Sequence, residues 1–495
     1  MKIGFDNELY LKTQSEHIRE RIRNFGGKLY LEFGGKLFDD YHAARVLPGF
    51  EPDSKMRMLQ QLADQAEIVI VISADDIEKA KIRSDLGITY DLEVLRLINA
   101  FREKGLYVGS VVLTRCNAQP SAAAFERKVR ELDVPVFHHY PIEGYPSDII
   151  KIVSEEGYGR NEYIETTRSL VVVTAPGPGS GKMATCLSQL YHENKRGITA
   201  GYAKFETFPI WNLPLSHPVN VAYEAATADL DDVNMIDPFH LEAYGQTCVN
   251  YNRDVEIFPV LCAMFKQIYG KSPYKSPTDM GVNMVGNCIV DDTVVRAAAR
   301  QEILRRYFAA KVLFRKELCS AQEVRKIQLL TQQLDIDESE RPVIEKARAV
   351  KERTGGNPAV AIELPDGRFV TGKTSDLMGP CAAVLMNALK ELAGIPDEVL
   401  LIEQNVIEPI QKLKVDHLGN RNPRLHSDEI LIALSICAVS EERARRALEQ
   451  LSALRGCEVH STVILSAVDE NVFRKLGMHL TCDPEYQARK HYSNK

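Results

Sequence analysis

No stretch of these 495 residues stays apolar for long enough to cross a bilayer. The opening residues, Met1-Lys2-Ile3-Gly4-Phe5-Asp6-Asn7-Glu8, contain no signal-peptide core. The 10 cysteines are scattered, with no CxxC pair and no short disulfide-like ladder, and they read as reduced thiols. These absences predict a cytoplasmic protein with no membrane partner. A net charge of −7 argues against general nucleic-acid binding and leaves room only for a local basic site. Protease signatures are also missing. His192-Glu193 is followed by Arg196, so HExxH is absent, and no GxSxG elbow occurs. His138 and His139 are neighbours in a predicted strand and point to opposite faces, a poor arrangement for zinc. No internal repeat or low-complexity tract is present.

What is present is an ordinary globular composition, 45% hydrophobic and 26% charged, at a length that predicts two or three domains. The first half alternates strand and helix patterns. Lys28–Phe33, Ile68–Ile72, Tyr107–Leu113, Val134–His138 and Val171–Thr174 read as strands, and Asp91–Arg102 as an amphipathic helix. This alternation predicts an α/β fold with a doubly wound, mainly parallel sheet whose ligands lie beyond the carboxyl ends of the strands.

The strongest local signal is Leu170-Val171-Val172-Val173-Thr174 followed by Ala175-Pro176-Gly177-Pro178-Gly179-Ser180-Gly181-Lys182. A buried strand, a glycine-rich turn and a helix start make a P-loop-like layout. Backbone N–H groups can curl around an anion there, with the positive end of the helix behind them. Gly177, Gly179, Ser180, Gly181 and Lys182 are therefore the expected cofactor-binding residues, for ATP or another phosphate-bearing ligand, with Mg2+ as a candidate companion. The match to the full motif is incomplete. Pro176 stands where the first glycine belongs, and Met183 stands where a magnesium-holding Ser or Thr belongs; Thr185 carries a hydroxyl but out of register. The alternative is a βα turn that merely packs closely.

Further on, Gly201-Tyr202-Ala203-Lys204-Phe205-Glu206 ends a predicted strand, and Phe205 to Ile289 is irregular and rich in proline and aromatics, as in Asp237-Pro238-Phe239-His240. The first segment resembles a Gly-Tyr-Lys stretch of dethiobiotin-synthetase-type enzymes, and the second an Asp-Pro-Tyr stretch of cytidine triphosphate synthetases. Lys204, Glu206, Asp237 and His240 are the expected catalytic residues: the lysine to neutralise a transferred phosphoryl group, the acids to hold magnesium. Surface ion pairs and helix capping are the competing roles. Asp75-Asp76 and Asp291-Asp292 each follow an apolar segment and fit either a Walker B acid or a helix cap. The ligand pocket is expected between the glycine loop and Phe205–His240.

Thr293 to about Arg353 reads as helical, with nine Lys/Arg against three Asp/Glu between Arg296 and Lys326. A hairpin follows, Ala359–Leu364 and Arg368–Thr371 around Pro365-Asp366-Gly367, and then a helix from Pro380 to Leu392. Glu398–Ile402 reads as a strand, as does Val459–Leu465; Glu441–Leu454 and Glu470–Leu476 read as helices before a last short strand. The predicted domains are thus residues 1–290, P-loop-like or Rossmann-like; 291–356, a helical connecting region; and 357–495, a C-terminal α/β domain. The hairpin and its Cys381 helix resemble the cytidine-deaminase-like fold. The second cysteine of Pro-Cys-x-x-Cys is absent after Cys381, and no HxE motif occurs in residues 357–495, so no zinc is expected.

Taken whole, the chain resembles a bacterial family of unknown function, domain of unknown function 1846, also called UPF-type proteins. The resemblance rests on Phe33-Gly34-Gly35-Lys36, the Ala175–Lys182 loop and Gly201–Pro209. Some members carry an ATP-dependent protease label, which the residues here do not support. The expected function is a nucleotide- or phosphate-dependent enzyme of synthetase or phosphotransferase type acting on a small polar metabolite, and a homo-oligomer. The alternative is a non-catalytic protein that binds a nucleotide or metabolite for regulation.

Overall fold

The computed structural model describes residues 2–35, 37–83, 87–230 and 232–487. Lys36, part of the Phe33–Lys36 signature, lies outside the described residues. The chain forms two compact units, residues 2–299 and 300–495.

The first unit is built on six strands: β1 (Leu29–Phe33), β2 (Ala66–Ser73), β3 (Tyr107–Thr114), β4 (Val136–His138), β5 (Leu170–Thr174) and β6 (Gly201–Phe205). They lie in the order β4-β3-β2-β5-β1-β6, and every neighbouring pair is parallel. Strands β1, β2 and β5 are buried at every position, which is why they read as nearly continuous apolar runs rather than as alternating patterns. The chain leaves β2 toward β3 and leaves β5 toward β6, in opposite directions along the sheet. Right-handed crossovers then put the two following helices on opposite faces, and a crevice opens between the carboxyl ends of β2 and β5.

The helix Lys182–Lys195 covers one face. Its Cys186, Leu187 and Leu190 pack with Tyr30, Val171, Val173 and Tyr202 of the sheet, and with Phe258, Leu261 and Phe265 of the helix Asn252–Tyr269. That second helix lies in the segment predicted to be irregular. Pro259 sits in its interior and disguised it, but the proline is solvent-exposed, where water can satisfy the carbonyl it leaves unpaired. The turn signals around it do belong to loops and short elements.

The second unit contains a four-stranded sheet: β7 (Ala359–Glu363), β8 (Phe369–Lys373), β9 (Glu458–Ser461) and β10 (His479–Cys482), in the order β8-β7-β9-β10. The β8–β7 and β7–β9 pairs are antiparallel and β9–β10 is parallel. The predicted helix Pro380–Leu392 is found with those bounds, and its Val384, Leu385, Ala388 and Leu389 enter the core with Val360, Ile362 and Val459. Gly372 permits this packing, because a Cβ there would lie 2.3 Å from the backbone nitrogen of Val384.

Two expectations are corrected. Glu398–Ile402 is not a strand: Leu401 and Ile402 are buried in the core of the unit, but the segment pairs with no strand. Residues 291–356 do not stand apart either. The helix Asp292–Arg315 crosses the division between the units, and the helices Ala321–Gln333 and Val343–Arg353 belong to the second. Val343 and Ala347 pack on Ala361 of β7, so the helical pattern was a layer of the C-terminal unit and not a connector.

Candidate functional site

The carboxyl edge of the first sheet opens into a cavity of about 1420 Å3. It lies at the β2/β5 crevice, with Asp75 after β2 and the loop Ala175–Gly181 after β5 both in its wall. Asp75 accepts a hydrogen bond from Gln119 Nε2 at 2.9 Å in the first turn of a short helix. Asp291, the other acidic candidate, accepts from the N–H groups of Thr293 and Val294, so it caps a helix.

The glycine loop is held from below. Thr114 Oγ1, at the end of β3, donates to the carbonyl of Ser180 at 2.7 Å, and Ser180 Oγ donates to the carbonyl of Gly177 at 3.0 Å. Two glycines have definite reasons. Gly181 starts the helix Lys182–Lys195 in the left-handed region at φ 96°, and a Cβ on Gly177 would lie 2.1 Å from Tyr90 Oη. Among the described residues no side chain caps that helix, whose start lines the cavity. Lys182 lines the cavity and has no hydrogen-bond or ion-pair partner among the described residues. Thr185 is fully buried, lines the cavity, and its hydroxyl has no partner among the described residues.

A second set of charges faces the same cavity from β1, β6 and the first turn of the helix Asn252–Tyr269. Glu32 and Lys204 are register partners on adjacent strands and so share a face. Lys204 Nζ donates to both carboxylate oxygens of Asp254, at 2.7 and 2.6 Å, and lies 3.1 Å from Glu206 Oε1. Tyr202 Oη donates to Glu32 Oε2 at 2.6 Å. Burial alone would lower the Lys204 ammonium, but Asp254, Glu206 and Glu32 together hold it above the ordinary lysine value. Burial pushes the Glu206 carboxyl up to about 7, with Lys204 opposing and with Asp254 and Glu32 adding to the rise. Glu206 also packs over β1's end, where a Cβ on Gly34 would lie 2.7 Å from its Cγ.

The structure therefore brings Lys204 and Glu206 into one cavity with Gly177, Gly179, Gly181 and Lys182; Ser180 braces the loop from within. It does not bring Asp237 and His240 there. Asp237 is fully buried; it caps the helix Pro238–Tyr244 through the His240 N–H and accepts from Thr278 Oγ1 at 2.6 Å. His240 Nδ1 is 2.8 Å from Ser276 Oγ. The Asp-Pro-x-His pattern is thus the signature of a capped helix start. Lys204 is also unsuited to its expected role, because two carboxylates already hold it.

Sequence reasoning missed Glu32, Asp254 and His139 as cavity residues. Glu32 carried a signal, a charge inside an otherwise apolar, fully buried strand. His139 lines the cavity in neutral form, its imidazole driven down to about 3 by burial. Among the described residues, no group of three or more His, Cys, Asp or Glu is arranged to hold a metal ion.

Glu206 makes a pH prediction. Its carboxyl is about 7 in the fold against an ordinary 4.5, so the folded state holds its proton more tightly than the unfolded chain. The stabilisation is complete below about 4.5 and is lost as pH rises through about 7. Glu206→Gln should flatten this fall, seen as urea midpoints of parent and variant that converge at about pH 5 and diverge by about pH 8. Parallel profiles would show that Glu206 titrates normally.

A parallel α/β unit with a glycine loop at its sheet crevice, followed by a second unit on a mixed sheet, is the class these features define. The chain belongs to the DUF1846 family. The profile described as "Domain of unknown function DUF1846, N-terminal" matches residues 3–335, and the C-terminal one matches residues 339–492. It is 60% identical over 491 residues to a UPF0371 protein of Streptococcus sanguinis, covering 99% of each chain. It is 59% identical over 491 residues to UPF0371 proteins of Streptococcus thermophilus and Streptococcus pneumoniae, again covering 99% of each chain. Among the described residues, no helix is long and apolar enough to cross a membrane.

Proposed function

We propose that the first unit is a nucleotide- or phosphate-dependent enzyme of synthetase or phosphotransferase type, acting on a small polar metabolite. The observation that carries this reading is one cavity walled on one side by the glycine loop and on another by the Lys204, Glu206, Asp254 and Glu32 cluster. In this reading the P-loop-like backbone from Gly177 to Gly181 and the Lys182 ammonium cradle the phosphates of ATP or another phosphate-bearing ligand. The Thr185 hydroxyl, without a partner among the described residues, faces them from the end of the helix's first turn. Mg2+ would arrive with the phosphates and take few protein ligands, as this ion commonly does. Glu206, poised near neutrality, is the general base for the acceptor group, and Lys204 sets its charge.

A non-catalytic regulatory role for the same cavity is favoured by one observation: Met183 occupies the position that would hold magnesium. The chain is proposed to work in the cytoplasm, in keeping with its ten free cysteines. Deaminase-like topology for the second unit and a homo-oligomeric assembly complete the proposal.

Thermal-shift and calorimetric titration with ATP, inorganic triphosphate and adenosine, each with and without Mg2+, test it. Binding of the two phosphate compounds but not adenosine is expected, with about 2.7 kcal/mol of added stability at 100 times the dissociation constant. Equal binding of adenosine, or no binding of either phosphate compound, would remove the phosphate role. ATP binding with no turnover across a metabolite panel would select the regulatory reading.

A further inference from the structure

The second unit has its own cavity, of about 340 Å3, where two helices begin. Gly379, Pro380 and Cys381 of one start and Ser466 and Asp469 of the other line it. The helix Pro380–Leu392 has no side-chain cap among the described residues, and its first residue is a proline with no N–H. The N–H groups of Cys381 and Ala382 have no acceptor among the described residues.

The side chains around these donors are cationic. Lys316, Arg424 and His426 line the cavity, and Asp469 is the one carboxylate among the described lining residues. Asp469 is already saturated. Its Oδ1 accepts from Ser427 N at 2.9 Å and Ser427 Oγ at 2.6 Å; its Oδ2 accepts from Ser466 Oγ at 2.8 Å and faces His426 Nδ1 at 2.9 Å. Four partners hold this carboxyl in its charged form, at about 2, against the pull of burial. It is therefore unavailable to a ligand and works on His426 instead. Its hydrogen bond to Nδ1 orients the ring at the start of the helix Ser427–Cys437 and raises the imidazole above its ordinary value. Lys316 is only loosely engaged, 4.0 Å from the exposed carboxylate of Glu470.

We infer that this cavity is a second ligand site, taking a compact metabolite that presents a carboxylate or phosphate group to His426, Lys316, Arg424 and the uncapped helix start. The volume lies at the low end for ligand pockets, which suits a small acid and not a nucleotide. Open backbone donors, the helix dipole and three cationic side chains all favour an oxyanion. Cys381 supplies packing rather than chemistry, because burial raises its thiol well above the ordinary value and keeps it protonated.

The test is histidine side-chain NMR on the full-length chain labelled at histidine, with His426→Gln identifying the His426 resonance. Inorganic phosphate and acetate are titrated separately, at ionic strength held constant with chloride. The His426 resonance is expected to move saturably with at least one of them and not with chloride; which one tells phosphate from carboxylate. Lys316→Gln, a partly exposed position, should weaken the midpoint about tenfold with unchanged far-UV circular dichroism. Lys182→Ala, in the other unit, should leave it unchanged. No saturable movement, equal movement with chloride, a midpoint insensitive to Lys316→Gln, or loss with Lys182→Ala would each overturn the site.

Discussion

The variant carrying Gly179→Val and Lys182→Ala should lose at least about 100-fold in affinity for the phosphate-bearing ligand while remaining folded. Lys182 offers a charge-assisted hydrogen bond, which is worth about 1.5–3 kcal/mol, or roughly tenfold to a hundredfold. Gly179 has φ 77°, and nothing lies within 4 Å of a Cβ built there. Valine would therefore meet no clash, but the left-handed backbone costs about 1–2 kcal/mol for a residue with a Cβ, enough to turn the N–H groups out of the cradle. Gly179 is exposed and Lys182 half-buried, so the core under β5 should survive. Isothermal titration with ATP, with circular dichroism as the folding control, reads the result. Unchanged affinity in a folded variant would make the loop a packing device.

Arg341→Ala should destabilise the second unit by about 3–5 kcal/mol. Arg341 is 1% exposed, the largest of the fully buried side chains. Its guanidinium pairs with Glu458, donates to Thr481 Oγ1 at 3.0 Å, and reaches the carbonyls of Val459 and His479 at 3.1 and 2.7 Å. It thereby ties the helix Val343–Arg353 entry to β9 and β10. Glu458 also accepts from Arg305 at 2.7 Å; burial would raise its carboxyl, but the two arginines hold it below the ordinary value. Alanine leaves a half-buried carboxylate with one of its two arginines gone and two carbonyls short of a donor. Arg341→Lys should rescue little, because a point charge cannot serve partners spread around a fork. Trp211, the chain's one tryptophan, reports the first unit, so the shift should appear in far-UV circular dichroism against urea. A loss under about 1 kcal/mol would place the pair among the weak surface bridges.

How much of this was legible in the chain varied with the range of the interactions. The strands β1, β2, β3 and β5 and the helix Pro380–Leu392 were visible because burial on both faces or along one stripe leaves a local pattern. The helix Asn252–Tyr269 was hidden, since its proline is tolerated only because that face meets water. Asp237 and His240 misled for a related reason: capping and catalysis use the same side chains, and only their partners tell them apart.

By itself the sequence determined that the first unit is a parallel α/β sheet with a glycine-rich turn after β5, because strand periodicity and turn chemistry are encoded over a few adjacent residues. Tertiary structure alone decided which charges meet that turn. Glu32, Lys204 and Asp254 are far apart in the chain; they converge because β6 pairs with β1 in a register that sets Lys204 beside Glu32, and because the helix Asn252–Tyr269 packs on that face. The same packing, by excluding water, made Asp254 the partner of Lys204 and brought Glu206 close to neutrality, properties that no short stretch of sequence contains.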